Sequence, residues 1–463
     1  MRLNGSGLRF LLVTVVASLC VLGTQQGQSA LTSVQDLIVD DVVLPTKGTL
    51  DERPFFTSRR HPAIEYDRPS TDVVGELARK VEAGTVRLVH QGRSGYLLSI
   101  MEALRVPTES QAVIFSKTSL QSHYISPSNP RALFFSDEVT IGFIPNAPLL
   151  EISALDPQLG LIFYAIENRQ SERPEIARGD SCLSCHESRN TLDVPGMLIR
   201  SIGVGDGGQT MPQLGNYISD HRSPFEERWG GWFITGKTGS ARHMGNMMIA
   251  ASATSDHASR SSKPMASLEG RFDLASYPSR FSDVGAVMVL NHQARMTNLL
   301  VRVGWETRVA LDRREKNPQE KEIAERLIAA DSSELVDYML FVDEAPLPGG
   351  FESTSGFKEK FFTLGPQDSR GRSLRQLDLK KRLFLYPCSY MIYSRAFDEL
   401  PAATKEGVYS RLWSVLSGKE KAGKYSKLSF ADRAAIVGIV LETKPDLPAY
   451  YKPLDKQKDS LVQ

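Results

Sequence analysis

Ala132-Leu133-Phe134-Phe135-Ser136-Asp137-Glu138-Val139-Thr140-Ile141-Gly142-Phe143-Ile144 reads as two strands joined by a tight reversal. Aromatic and β-branched side chains suit the pleated, half-buried surface of a sheet, and the polar triplet 136–138 supplies the turn. Working outward, 112–116 upstream and 149–152 and 161–166 downstream have the same texture, the last two separated by Asp156-Pro157 and Gly160. One sheet is therefore expected through this part of the chain. Apolar spacing predicts short helices at 73–83 and 96–104 before it. The stretch 31–69, with Pro45, Pro54, Pro62 and Pro69, reads as an extended lead-in.

Past the sheet the texture changes. Residues 169–180 are polar and irregular, and from there to about 250 the chain is rich in Gly and Met. Beyond Asp283 the pattern turns helical: Ser282 is expected to cap an apolar stretch to Leu311, Pro318 to sit in the first turn of another helix, and Ser333 to start a segment ending at Phe341. Ser429 with Asp432 three residues on offers a capping box before 434–441. The expected fold class is α+β: an N-terminal α+β region at 31–175, a central region at 176–255, and a mainly helical C-terminal region at 256–463.

The chain has 463 residues, 41% hydrophobic and 24% charged, with a formal net charge of +1. These values exclude a disordered, collagen-like or polytopic membrane protein, and the length permits a large core. Basic runs such as Lys380-Lys381-Arg382 are short or interleaved, so no nucleic-acid footprint is expected.

Residues 1–30 read as a secretory signal. Arg2 and Arg9 precede a 13-residue apolar run from Phe10 to Leu22, and a polar stretch leads to Ala30, the expected cleavage point. The run is shorter than the roughly 20 residues that span a bilayer, so no stable transmembrane span is expected, an uncleaved anchor being the alternative. The mature chain is then exported, to the periplasm or outside the cell. It keeps Cys182, Cys185 and Cys388, too few and too odd a number for a disulfide framework.

Cys182-Leu183-Ser184-Cys185-His186 is a C-x-x-C-H run. Two thiols three positions apart on one helical turn can reach the two vinyl groups of a porphyrin, and the next residue offers an imidazole to the iron from the same side. A thioredoxin-like pair gives His186 no role. A zinc site needs further ligands, and neither Cys388 nor any short His pair supplies them at a recognised spacing. The segment from Gly179 to His186 resembles the haem-attachment segments of c-type cytochromes, specifically single-haem ones. The whole chain is similar to large secreted bacterial proteins that contain a cytochrome c domain. The resemblance implies one covalent haem c, held by Cys182 and Cys185 with His186 as proximal iron ligand, in a haem c-binding region at 176–255. It implies a cofactor and not a reaction.

What lies opposite His186 decides the function class. A methionine or histidine gives a filled, electron-transferring site, whereas an open position admits small molecules. The candidates are Met211, in Thr210-Met211-Pro212, and His243 or Met244, in Arg242-His243-Met244, with Met197 a third option better suited to core packing. Arg242 beside His243 also fits a peroxidase-like pair if both line one pocket, or Arg242 pairs with a haem propionate. Gly203-Val204-Gly205-Asp206-Gly207-Gly208 formally matches a dinucleotide fingerprint, but Pro212 follows where a helix is required, so a loop is expected. Trp229 to Phe233 suits either a haem edge or core packing, and Cys388 a buried free thiol.

The expected function is electron transfer by an exported c-type haem protein working with a redox protein partner or a small donor or acceptor. The alternatives are a haem enzyme with an open sixth site and a non-redox haem sensor or structural protein.

Overall fold

The computed structural model describes residues 49–55, 57–249, 264–420 and 422–454. The expected export segment 1–30, with Arg2, Arg9 and Cys20, lies outside the described residues, as does the lead-in up to 48.

Two helices, α1 (Val73–Glu82) and α2 (Leu97–Ala103), come before the first strands, within a residue of where the apolar spacing places them. Asp72 caps α1, its carboxylate accepting from the backbone N–H of Val74 and Gly75. The other carboxylate oxygen accepts from Tyr164 Oη at 2.6 Å, so one buried side chain both starts the helix and docks it on the sheet.

The sheet contains β1 (Ala112–Ile114), β2 (Arg131–Phe135), β3 (Val139–Phe143), β4 (Leu149–Asp156), β5 (Gly160–Glu167) and β6 (Ile176–Arg178). After the one-turn helix α3 (Leu183–His186), β7 (Arg200–Ile202) and β8 (Asn216–Ile218) form a separate ribbon, and β9 (Trp232–Phe233) joins the main sheet. The order is β6-β5-β4-β3-β2-β1-β9, antiparallel at every step. Ser136 N–H bonds Val139 C=O at 2.9 Å, closing the β2–β3 hairpin that the sequence foretells. Register then sorts the two faces, because paired residues share a face and neighbours along a strand do not. Phe134, Ile141, Ile152 and Tyr164 lie in one row and are all buried. Leu133, Gly142, Glu151 and Ala165 lie in a row on the other face, which is partly polar.

The helical part begins with α4 (Val284–Lys316), followed by α5 (Lys321–Met339), α6 (Phe357–Thr363), α7 (Arg395–Asp398), α8 (Ala402–Leu416) and α9 (Phe430–Thr443). Helix α4 is buried on all sides over most of its length, which marks it as a central element. It packs against the reversals of the sheet: Gln293 Nε2 donates to Ser136 C=O at 2.7 Å, and Trp305 Nε1 to Gln158 C=O at 3.1 Å. Two buried cations tie the start of the described chain to these helices. Arg302 pairs with Glu306 at 2.5 Å, and Arg53 pairs with Glu306 at 3.4 Å and with Asp331 of α5. Such pairs are expensive to break, because the surviving partner is left charged and buried.

Three details differ from expectation. Asp283, not Ser282, caps α4, accepting from Gly285 N–H at 2.8 Å. Ser282 is consumed by the sheet, donating to Phe233 C=O at 2.6 Å and accepting from Val113 N–H at 2.9 Å. Ser333 lies inside α5, whose first turns are too polar to show an apolar period. The 169–180 stretch contains β6, a three-residue edge strand.

Candidate haem-attachment site

Strand β6 brings the chain to the edge of the sheet, where Gly179 N–H bonds Phe163 C=O at 3.0 Å, and Cys182 then opens α3. Cys182 C=O accepts from both Cys185 N–H at 3.1 Å and His186 N–H at 3.0 Å, the bonding of a single helical turn. Side chains three positions apart lie on one side of such a turn, so the two thiols are neighbours. Both are free: Cys182 is half-buried and Cys185 exposed. Leu183 between them anchors the turn in the core.

His186 is oriented by one hydrogen bond and one ring contact. Its Nδ1 lies 2.9 Å from Gly196 C=O, and a carbonyl only accepts, so Nδ1 carries the proton and Nε2 keeps its lone pair. Metal-bound histidines are commonly fixed in this way, the second nitrogen donating to a carbonyl or carboxylate. Burial pushes the imidazole below its ordinary pKa, against the opposing effect of the Gly196 carbonyl, which keeps it in the neutral form that ligates. Its ring packs on Phe163 of β5 with centroids 4.9 Å apart.

The loop that carries Gly196 is rigidly built. Glu187 bridges to Pro195, and Gly196 N–H returns to His186 C=O at 2.8 Å. Thr191 Oγ1 donates to Val194 C=O at 2.9 Å, while Leu192 and Asp193 hold left-handed backbone at φ 63° and 57°. Asn298 of α4 closes the frame: its Oδ1 accepts from Met197 N–H at 2.7 Å and its Nδ2 donates to Met197 C=O at 2.8 Å. Position 196 must be glycine, since a Cβ there would sit 2.4 Å from Asn298 Oδ1.

The distal candidates occupy other elements. Met211 precedes Pro212 in the β7–β8 connection, its N–H bonding Gly203 C=O at 2.7 Å. Met244 approaches the same ribbon: Ser201 Oγ lies 3.7 Å from its sulfur, and a Cβ on Gly215 would be 3.0 Å from its methyl. The two methionines thus share a neighbourhood. His243 is buried with its ring 4.9 Å from Trp229, and its Nδ1 accepts from Gly245 N–H at 3.1 Å. Burial lowers its pKa to about 4. Arg242 is exposed, so the adjacent pair divides between solvent and interior. Met197 is buried in the core, with its main chain bound to Asn298. The Gly203–Gly208 loop leads to a 3-10 turn and an antiparallel strand, with no βαβ unit. Trp232 and Phe233 form β9, and Cys388 is a fully buried free thiol.

Phe163, Gly196 and Asn298 are invisible to motif reading, although an Asn in the middle of an apolar helix is a signal that some buried backbone needs a partner. Among the described residues, no three His, Cys, Asp or Glu side chains gather to hold a metal ion by themselves, and no helix is long and apolar enough to cross a membrane. The two thiols and the His186 imidazole match the donor set a covalent haem asks for, two thioether sulfurs and one nitrogen. No family model, curated protein or solved structure matches the chain.

Proposed function

We propose that this is an exported c-type haem protein that transfers electrons, with one haem bound covalently through Cys182 and Cys185 and ligated by His186. The observation that supports this best is the Nδ1 bond from His186 to Gly196, which leaves the Nε2 lone pair available to ligate, on the same turn as two free thiols. Cys182 and Cys185, both free thiols, would hold the haem, each by adding its sulfur to one carbon of a vinyl group and its proton to the other. Once bound, the haem supplies one-electron chemistry between ferrous and ferric iron. The chain supplies orientation: Gly196 fixes the imidazole tautomer, Phe163 limits its tilt, and Asn298 holds the loop bearing Gly196. On this reading a redox protein or a small donor or acceptor is the partner.

Optical and electron-spin spectra of the holoprotein in both oxidation states test the electron-transfer reading. It expects low-spin iron, with conversion to high spin when one of Met211, Met244 or His243 is replaced by Ala. A high-spin wild type that binds carbon monoxide and turns over peroxide would overturn it in favour of a haem enzyme.

A further inference from the structure

The partly polar face of the sheet carries a charge pair that the attachment motif does not explain. Arg131, at the start of β2, reaches across β3 to Glu151 of β4, Nη2 to Oε2 at 2.5 Å. The strand between them contributes Gly142, and a Cβ there would lie 2.4 Å from Arg131 Nη2 and 2.8 Å from Nε. The missing side chain is therefore what lets the guanidinium lie over the middle strand. The second oxygen of Glu151 accepts from Gln121 Nε2 at 3.1 Å and Ser119 Oγ at 3.2 Å. Arg131 Nε is buried without a hydrogen-bond partner, so the guanidinium is placed by the pair and not by a full set of its own bonds.

Register brings this pair to the haem-attachment turn. Glu151 is paired with Ala165, and Phe163, two residues earlier on β5 and on the same face, is the ring that packs on His186. The pair therefore lies on the face of the sheet that meets the attachment turn. Each side chain is only 21% exposed, so solvent screens the pair incompletely.

We propose that Arg131 and Glu151 are positioning residues that set the reduction potential of the haem held by Cys182, Cys185 and His186. This rests on the covalent-haem reading. The ferric form carries one more positive charge than the ferrous form, so a nearby guanidinium favours the ferrous form and raises the potential, while a nearby carboxylate lowers it. Gly142 belongs to the same device because it clears the path across the strand.

The test is potentiometric titration of the holoprotein, followed at the haem absorption bands, for wild type, Arg131→Gln, Arg131→Lys, Glu151→Gln and the double Arg131→Gln/Glu151→Gln variant. Arg131→Gln should shift the midpoint downward and Arg131→Lys much less, while Glu151→Gln should shift it upward. Comparing the double variant with Glu151→Gln reads the arginine without leaving a carboxylate unpaired, and should again shift downward. Covalent haem with midpoints unchanged in all four variants would overturn this proposal alone. Haem that extracts freely from the wild type would overturn the covalent reading and this proposal with it.

Discussion

Asn298→Ala is the sharpest perturbation of the frame behind His186. It removes an acceptor for Met197 N–H and a donor to Met197 C=O, both bonds lying in the buried interior. A buried backbone group left without its partner costs about 1–3 kcal/mol, so the pair sets a range of roughly 2–6 kcal/mol. The structure narrows this. Asn298 and Met197 both line a cavity of about 250 Å³ that also contains Ser219, Asp220 and Arg295, so water can reach one of the two orphaned groups. A loss of roughly 2–4 kcal/mol follows, confined to the loop at 187–197 and not spread over the whole chain. Hydrogen exchange read by mass spectrometry over peptides covering 187–198 measures it. With 1.4 kcal/mol per tenfold change, protection should fall by roughly 30- to 700-fold there, while the β3–β5 strands keep theirs. In the same variant His186 loses the fixed Gly196 carbonyl, so its ring should gain freedom. Protection of 187–198 within a factor of about 2 of wild type would refute the claim that α4 holds this loop.

Two further outcomes are expected. His221 and His292 are fully buried with their Nδ1 atoms 2.9 Å apart, and His292 Nε2 bonds Ser389 Oγ at 2.8 Å. Burial lowers His292 from 6.5 to about 3 and also pulls His221 down, the neighbouring ring adding to it. Below about pH 6.5 these two histidines therefore bind more protons in the unfolded chain than in the folded one, and their contribution to stability falls as pH drops from there toward 3. By pH 5, His292 alone should cost roughly 2 kcal/mol, read as the difference in pH dependence of the urea midpoint between wild type and His292→Gln over pH 7.5 to 5; the same pH dependence in both would contradict the burial of this histidine. Separately, amino-terminal sequencing of the exported product should begin near Leu31, and recovery of Met1 would argue for an uncleaved anchor.

What the sequence disclosed was local. The 132–144 hairpin was legible because its aromatic and β-branched residues and its polar reversal fall within one short window, and the Ser429–Asp432 capping box because both partners lie in one turn. Strand β9 has two residues and β6 three, too few to show a period, and each is defined by the strand it pairs with. The misassigned α4 cap is a case of competition: Ser282 and Asp283 are both good caps, and the sheet claims the serine. The candidate attachment motif was legible because C-x-x-C-H is a local run, and it lies on a single helical turn. Its supports were not, since Gly196 acts through a backbone carbonyl that any residue possesses, and Asn298 reaches Met197 from 101 positions away. The Arg131–Glu151 pair was hidden for the same reason, because only the register of four strands brings it beside Phe163.

The central claim is that Cys182 and Cys185 bind haem covalently, and its most direct measurement is haem retention. The wild-type chain and the Cys182→Ala/Cys185→Ala variant are produced in a host with a c-type maturation system, denatured and extracted with acidified organic solvent. The chain-bound fraction is then assayed as the reduced pyridine complex. The account predicts that haem stays with the wild-type chain at one per protein and shows the spectrum of saturated thioether substituents, while the double variant retains none. Haem that leaves the wild-type chain during extraction would contradict it.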